Sequence, residues 1–257
     1  MLVFDTFGVA DTVSAKDGGA FAGAVSMAST LAVTDDANFD SGTLFVDASA
    51  NAVGIGETSP TSALHVKGGA GANVAIQSTA GSHWRLGDAV GASNGQFVLY
   101  DYTNSGGRIL VNAGGEVNLP AQPAFSAKVN SDQTNLAVGS DVNIVFGAEI
   151  YDVGSNFASN TFTAPVTGKY QLSMMMYTQQ IDSAATYVQM QISTSNRGYF
   201  IIFDPDFGQD ATYWTFSLSI LADMDANDTA IVQYAQSGGS AQTDVNANSY
   251  FTGALIC

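Results

Sequence analysis

Basic residues are scarce in this chain: seven Lys and Arg stand against 23 Asp and Glu, a net charge of −16 over 257 residues. Such a balance repels phosphate backbones, so nucleic acid is not an expected partner. Charge of either sign is thin, at 12% of residues, about half of the ~25% usual in globular domains. Stability must therefore come from apolar burial and ladder hydrogen bonds, and the polar surface falls to Ser, Thr, Asn and Gln. Cysteine occurs once, as Cys257, which excludes an intrachain disulfide and makes a free thiol the expectation. The two histidines, His65 and His83, have no cysteine nearby and no metal spacing, so they read as polar strand positions or hydrogen-bonding groups.

No apolar run approaches the ~20 residues that span a bilayer, and the closest, 20–33, is interrupted by Gly, Ser and Thr. No membrane partner is expected. The opening Met1-Leu-Val-Phe-Asp5 lacks a basic region, so no secretory leader is expected either. There is no Gly-x-Ser-x-Gly elbow. Gly54-Ile55-Gly56 and Gly68-Gly69 are not followed by Lys-Ser/Thr, which makes them turns rather than phosphate cradles.

What the chain does contain is alternation. From Lys169 onward, Tyr170, Leu172, Met174 and Met176 fall on one face, and Lys169, Gln171 and Ser173 on the other; a period of two is a strand with one buried face. Met175 and Tyr177 make the second face apolar over its far end, which points to a subunit interface there. Pro165-Val-Thr-Gly168 supplies the turn into this strand. Trp214, Phe216, Leu218 and Ile220 alternate with Thr215, Ser217 and Ser219 in the same way. Further strands are predicted at 143–146, 162–164, 187–192, 199–203, 230–235 and 249–256. Many short strands with polar turns and no helical period describe an all-β chain, a sandwich or jelly roll.

Phe146, Asp152, Phe157, Phe162, Gly168 and Tyr170 lie at intervals that resemble the signature of C1q-like globular heads, relatives of tumour necrosis factor. Leu172 and Met174 replace two aromatics of that signature, and the Phe157–Phe162 loop is two residues short. Ser249-Tyr-Phe-Thr-Gly-Ala-Leu-Ile256 is similar to the family's closing strand, and Asn227-Asp-Thr-Ala-Ile-Val232 to its turn into the penultimate one. The resemblance covers about 122–257 and implies a C1q/TNF-like jelly roll that trimerises.

Ahead of it, Asn51-Ala-Val-Gly-Ile-Gly-Glu-Thr-Ser-Pro-Thr-Ser-Ala-Leu-His-Val66 resembles an element of phage tail fibres and trimeric surface shafts. Short strands at 43–47, 53–56 and 64–66 fit it. Strands at 83–87, 96–101, 108–111 and 116–119 read as an antiparallel meander. Such units are too small to own a core and need neighbouring chains to cover them. Leu119-Pro-Ala-Gln-Pro123 is stiff and extended, so the domains are expected to be 1–16 for particle attachment, 17–119 for a β-rich shaft and 120–257 for the head.

Acidic residues gather in two loops, Asp204, Asp206 and Asp210 in one, and Asp223, Asp225 and Asp228 in the other. Carboxylate pairs are what glycan-cleaving spikes use, but turn acids of this kind are by default solvated, and no reaction is expected. The second trio is the candidate Ca²⁺ site, hard oxygen ligands being what calcium takes; no other cofactor is expected. Tyr170, Met175, Tyr177, Tyr250 and Phe251 are the candidate trimer-interface residues. The two resemblances together imply a homotrimeric virion fibre. Its N-terminus would meet other virion proteins and its head a host-surface glycan or protein. A secreted C1q-like binding module is the alternative.

Overall fold

The computed structural model describes residues 32–69, 71–79, 81–88, 90 and 95–257. The expected attachment segment 1–16 and most of the small-residue stretch after it lie outside the described residues. The chain divides into two compact units, Met1–Gly68 and Gly69–Cys257. The expected junction at 119–123 thus falls inside the second unit.

In the first unit, β1 (Ala37–Phe39), β2 (Leu44–Asp47), β3 (Ala52–Ile55) and β4 (Leu64–Val66) form one sheet in that order. β3 and β4 are parallel, although the connection runs only from Gly56 to Ala63. Glycine makes so short a return possible. A Cβ on Gly54 would lie 1.8 Å from the Glu57 carbonyl oxygen, and Gly56 has φ +70°, a region that only glycine enters freely. Glu57 then accepts from the Ser59 N–H at 2.8 Å and from Lys67 Nζ at 2.6 Å. His65 Nδ1 accepts from the Thr61 N–H at 3.4 Å, the hydrogen-bonding role expected of it. Phe39, Leu44, Val46, Ile55 and Leu64 are all exposed, so among the described residues this sheet has no core of its own.

The second unit opens with a meander of β5 (Asn73–Gln77), β6 (His83–Asp88), β7 (Phe97–Asp101), β8 (Gly106–Val111) and β9 (Val117–Asn118). Register puts Val74, Leu86, Leu99 and Ile109 in one row. Phe97, Val111 and Val117 are in register in the next row, and all of these share a face. On that face Val74, Ile76, Phe97, Ile109 and Val117 are exposed.

One end of the meander is held by Asp101, only 3% exposed. It accepts from Arg108 Nη2 at 2.8 Å and Asn104 Nδ2 at 2.7 Å, and these bonds, Arg108 first, bring its carboxyl down to about 2. A carboxyl lowered on folding adds stability above its unfolded value of ~3.9, and that stability is lost as pH falls toward the folded value. Trp84, paired with Asp101 across the strands, is therefore expected to report loss of the meander between about pH 4 and pH 2. A fluorescence titration in a Trp214→Phe background checks this, and Asp101→Asn should flatten that limb.

The remaining strands make the jelly roll: β10 (Ala124–Lys128), β11 (Val142–Asn143), β12 (Ala148–Val153), β13 (Phe157–Ala158), β14 (Thr161–Thr163) and β15 (Gly168–Ile181) in its first half. The second half holds β16 (Ala185–Thr194), β17 (Gly198–Phe203), β18 (Ala211–Met224), β19 (Thr229–Gly238), β20 (Asp244–Val245) and β21 (Tyr250–Leu255). One sheet runs β12-β10-β21-β15-β18, with β20 also on β15; the other runs β13-β14-β19-β16-β17, with β11 also on β19. The alternation read along 169–177 holds in full: Tyr170, Leu172, Met174 and Met176 are at most 2% exposed. Their partners across the sandwich include Val188, Met190 and Ile192 of β16, all 0% exposed.

Phe125, on a strand the alternation did not predict, is the aromatic hub. Its ring lies 4.7 Å from Phe162 and 5.0 Å from both Phe157 and Phe251, stacked on the first two and edge-on to the third. Tyr234 is buried as well and donates to Gln236 Oε1. Burial pushes its hydroxyl up to about 12.

Candidate functional site

Strand parity on β15 decides which side chains the head offers to a partner. The even residues fill the core; the odd ones, Lys169, Gln171, Ser173, Met175, Tyr177 and Gln179, form an outer face. β18 matches them with Asp223, Leu221, Ser219, Ser217, Thr215 and Tyr213 in turn, and β21 with Ala254, Thr252 and Tyr250 opposite Gln171, Ser173 and Met175. On β15, β18 and β21 this face carries no charge away from its Lys169–Asp223 end, and Lys128 of β10 follows beside Tyr250. Ser173 and Ser219 share a hydrogen bond at 2.7 Å, and Gln171 Nε2 donates to Ser219 at 2.7 Å, so its polar groups are largely satisfied by one another. At its centre Ser173, Met175, Ser217, Tyr250 and Thr252 line a depression of about 230 Å³, with Met175 41% exposed.

The candidate interface residues therefore separate. Met175, Tyr177 and Tyr250 stand on this outer face. Tyr170 and Phe251, at 0% exposure, lie in the chain's own core and cannot touch a second copy. Tyr170 donates its hydroxyl to the Val166 carbonyl at 2.7 Å, and Phe251 packs on Phe125. Both sit on the inward parity of their strands, which the sequence reading had correctly assigned to the buried face for Tyr170.

A second surface is the sandwich edge where β17 and β18 end the two sheets. Phe200 and Ile202 are exposed on β17. Phe203, on the inward side of the same strand, stacks with Phe207 and Trp214, with Phe203–Trp214 centroids 5.0 Å apart and Phe207–Trp214 5.5 Å. Exposed apolar surface on an edge strand is a liability unless something covers it. No sequence signal marked Phe207, a loop residue, as part of this cluster.

The acidic loops do not converge. Asp223 pairs with Arg197 at 3.1 Å. Asp228 accepts from Asn196 Nδ2 and from the Asp225 N–H, each at 2.8 Å, and Asp225 accepts from Thr167 at 3.4 Å. Among the described residues no three or more Asp, Glu, His or Cys form a group that could hold a metal ion. With Asp223, Asp225 and Asp228 held this way, we expect the melting temperature to stay put on going from chelator to millimolar Ca²⁺. A strong site would add about 2.7 kcal/mol at a hundredfold excess over Kd, so a clear rise would restore calcium here. In the other loop Asp210 accepts from the Ser183 N–H and hydroxyl and from Gln242 Nε2. These bonds hold its carboxyl low, the reverse of what a general acid requires. No helix among the described residues is long and apolar enough to cross a membrane.

The strands from Ala124 to Leu255 thus form a two-sheet jelly roll. The C1q domain profile matches residues 124–256, more than half of the 257 residues, and the chain belongs to the C1q domain family. Among solved structures, the globular domain of zebrafish complement 1qA is 16% identical, with a TM-score of 0.41, covering 53% of this chain and 98% of its own. Murine APRIL is 8% identical, with a TM-score of 0.39, covering 52% and 99%. No curated protein matches.

Proposed function

We propose that the chain is the protomer of a homotrimeric appendage, a phage-type virion fibre in which the N-terminal sheets form the shaft and the C1q domain the surface-binding tip. The observation that carries this reading is the meander face of Val74, Ile76, Phe97, Ile109 and Val117, exposed in the single chain. Ordering each residue costs about 1–2 kcal/mol of backbone entropy, and a sheet that leaves its apolar face in water cannot offset that. Copies of the same chain wound together would cover it.

The head supports the same reading with two unlike surfaces, the depression around Met175 and the edge of Phe200 and Ile202. An edge packed on the next copy's face is a heterologous contact, which gives a ring when its rotation closes, and C1q-family domains form rings of three. Adsorption to a host-surface glycan or protein is the function proposed for the assembled tip, with other virion proteins bound at the N-terminus.

Light scattering on the full chain, on 32–119 and on 120–257 tests the oligomer. The full chain and the head are expected to be trimers, and 32–119 alone to lack cooperative unfolding. A stable monomeric full-length chain would sink the reading. Electron microscopy of particles labelled against 124–256 tests the virion assignment.

A further inference from the structure

Of the three described arginines, Arg108 holds Asp101 and Arg197 holds Asp223. Arg85 has no carboxylate partner among the described residues, in a chain with 23 acids. It is instead embedded in aromatic groups. Its guanidinium carbon lies 4.1 Å over the Tyr102 ring, and its Nε donates to His83 Nε2 at 3.3 Å. The His83 ring is 4.8 Å from Tyr102, and Tyr100 meets Tyr102 edge-on at 5.9 Å. Register builds the cluster: Gln77 pairs with His83, and Ala75, Arg85 and Tyr100 are opposite one another across β5, β6 and β7. These side chains share the face opposite Val74, Ile76, Phe97, Ile109 and Val117.

We propose that this face binds the carboxylate of an acidic saccharide. With Nε engaged by His83, the two terminal nitrogens of Arg85 remain, and a guanidinium fork matches a carboxylate with two parallel hydrogen bonds. Stacking on Tyr102 fixes the fork's plane before the ligand arrives, which lowers the ordering cost of binding. The other groups offered are neutral: the Tyr100 and Tyr102 hydroxyls and the Gln77 amide can meet sugar hydroxyls, and the half-exposed Tyr102 ring gives an apolar edge to sugar C–H groups. Only one cation is present, so the site suits a monoanionic carboxylate and not a phosphate dianion.

That this face is the one left in water rests on the trimer reading, in which copies cover the opposite face. Calorimetric titration of the full chain with trigalacturonate, neutral galactotriose and inorganic phosphate tests the site, with light scattering on the same samples. Trigalacturonate is expected to bind at least about tenfold more tightly than the other two, and Arg85→Gln to lose about tenfold. Arg85→Lys should recover only part, because an ammonium cannot form the fork. Galactotriose or phosphate binding as well as trigalacturonate, or Arg85→Gln binding unchanged as a correct trimer, overturns the proposal. A wild-type chain that is monomeric yet binds trigalacturonate through Arg85 upholds the site and sinks the trimer. A trimer that ignores trigalacturonate does the reverse.

Discussion

Replacing Phe125 by alanine is expected to lower the stability of the C1q domain by about 3–5 kcal/mol, the usual cost of emptying a phenylalanine site in a packed core. Phe125 is fully buried and touches three other rings within 5.0 Å, so its removal leaves three aromatic faces without a partner. The strand opposite has little to give: a Cβ on Gly253 would lie 2.6 Å from the Phe125 ring, which shows how closely that backbone already follows it. Domains of this size are stable by only about 5–15 kcal/mol, and a loss on this scale consumes a large share. Urea unfolding followed by Trp214 fluorescence, in a Trp84→Phe background, measures it. A change below about 1 kcal/mol would mean that the ring stack is not where the sandwich gets its stability.

Met175→Asp should act on assembly and spare the fold. In the single chain Met175 is 41% exposed, so a carboxylate there stays in water at small cost. Beneath a second copy the same carboxylate is stripped of water in a depression lined by the neutral Ser173, Ser217, Tyr250 and Thr252, and an unpaired buried charge costs several kcal/mol. Sedimentation should show the trimer shifting to monomer, with the sandwich still melting cooperatively. Intact trimers with unaltered melting would place the contact elsewhere.

The sequence is legible where a rule of period two operates. Residues 169–177 announced both the strand and its buried face, and β16 to β19 were each found to within a few residues. Their buried positions are large and regularly spaced. β10, Ala-Phe-Ser-Ala-Lys, escaped because only one of its inward residues is large, and its partners in the sheet are twenty or more residues away in the chain. The acidic loops misled for a related reason. Asp223, Asp225 and Asp228 are close in sequence, but Asp223 lies on a strand and faces Arg197, while Asp228 turns back to cap the backbone of its own loop. Proximity along a chain is not convergence in space. Tyr170 and Phe251 show the limit of reading interfaces from aromatic content: parity had already sent Tyr170 inward. Arg85 was invisible as a site because Tyr100 and Tyr102 reach it only through strand pairing.

The order of strands in the first sheet has a consequence for how the protein is made. β10 opens the C1q domain, yet it pairs with β21 along its whole length, Ala124 with Ala254 through Lys128 with Tyr250, and β21 in turn separates it from β15. The middle of the sheet is thus assembled from the first and last strands of the domain. During synthesis Phe125 emerges early and waits for Phe251 while some 125 residues follow it out of the ribosome. Folding that depends on contacts so distant in sequence is slow, and until residue 255 is free the sheet lies open along its centre, exposed to the same strand on a neighbouring nascent chain.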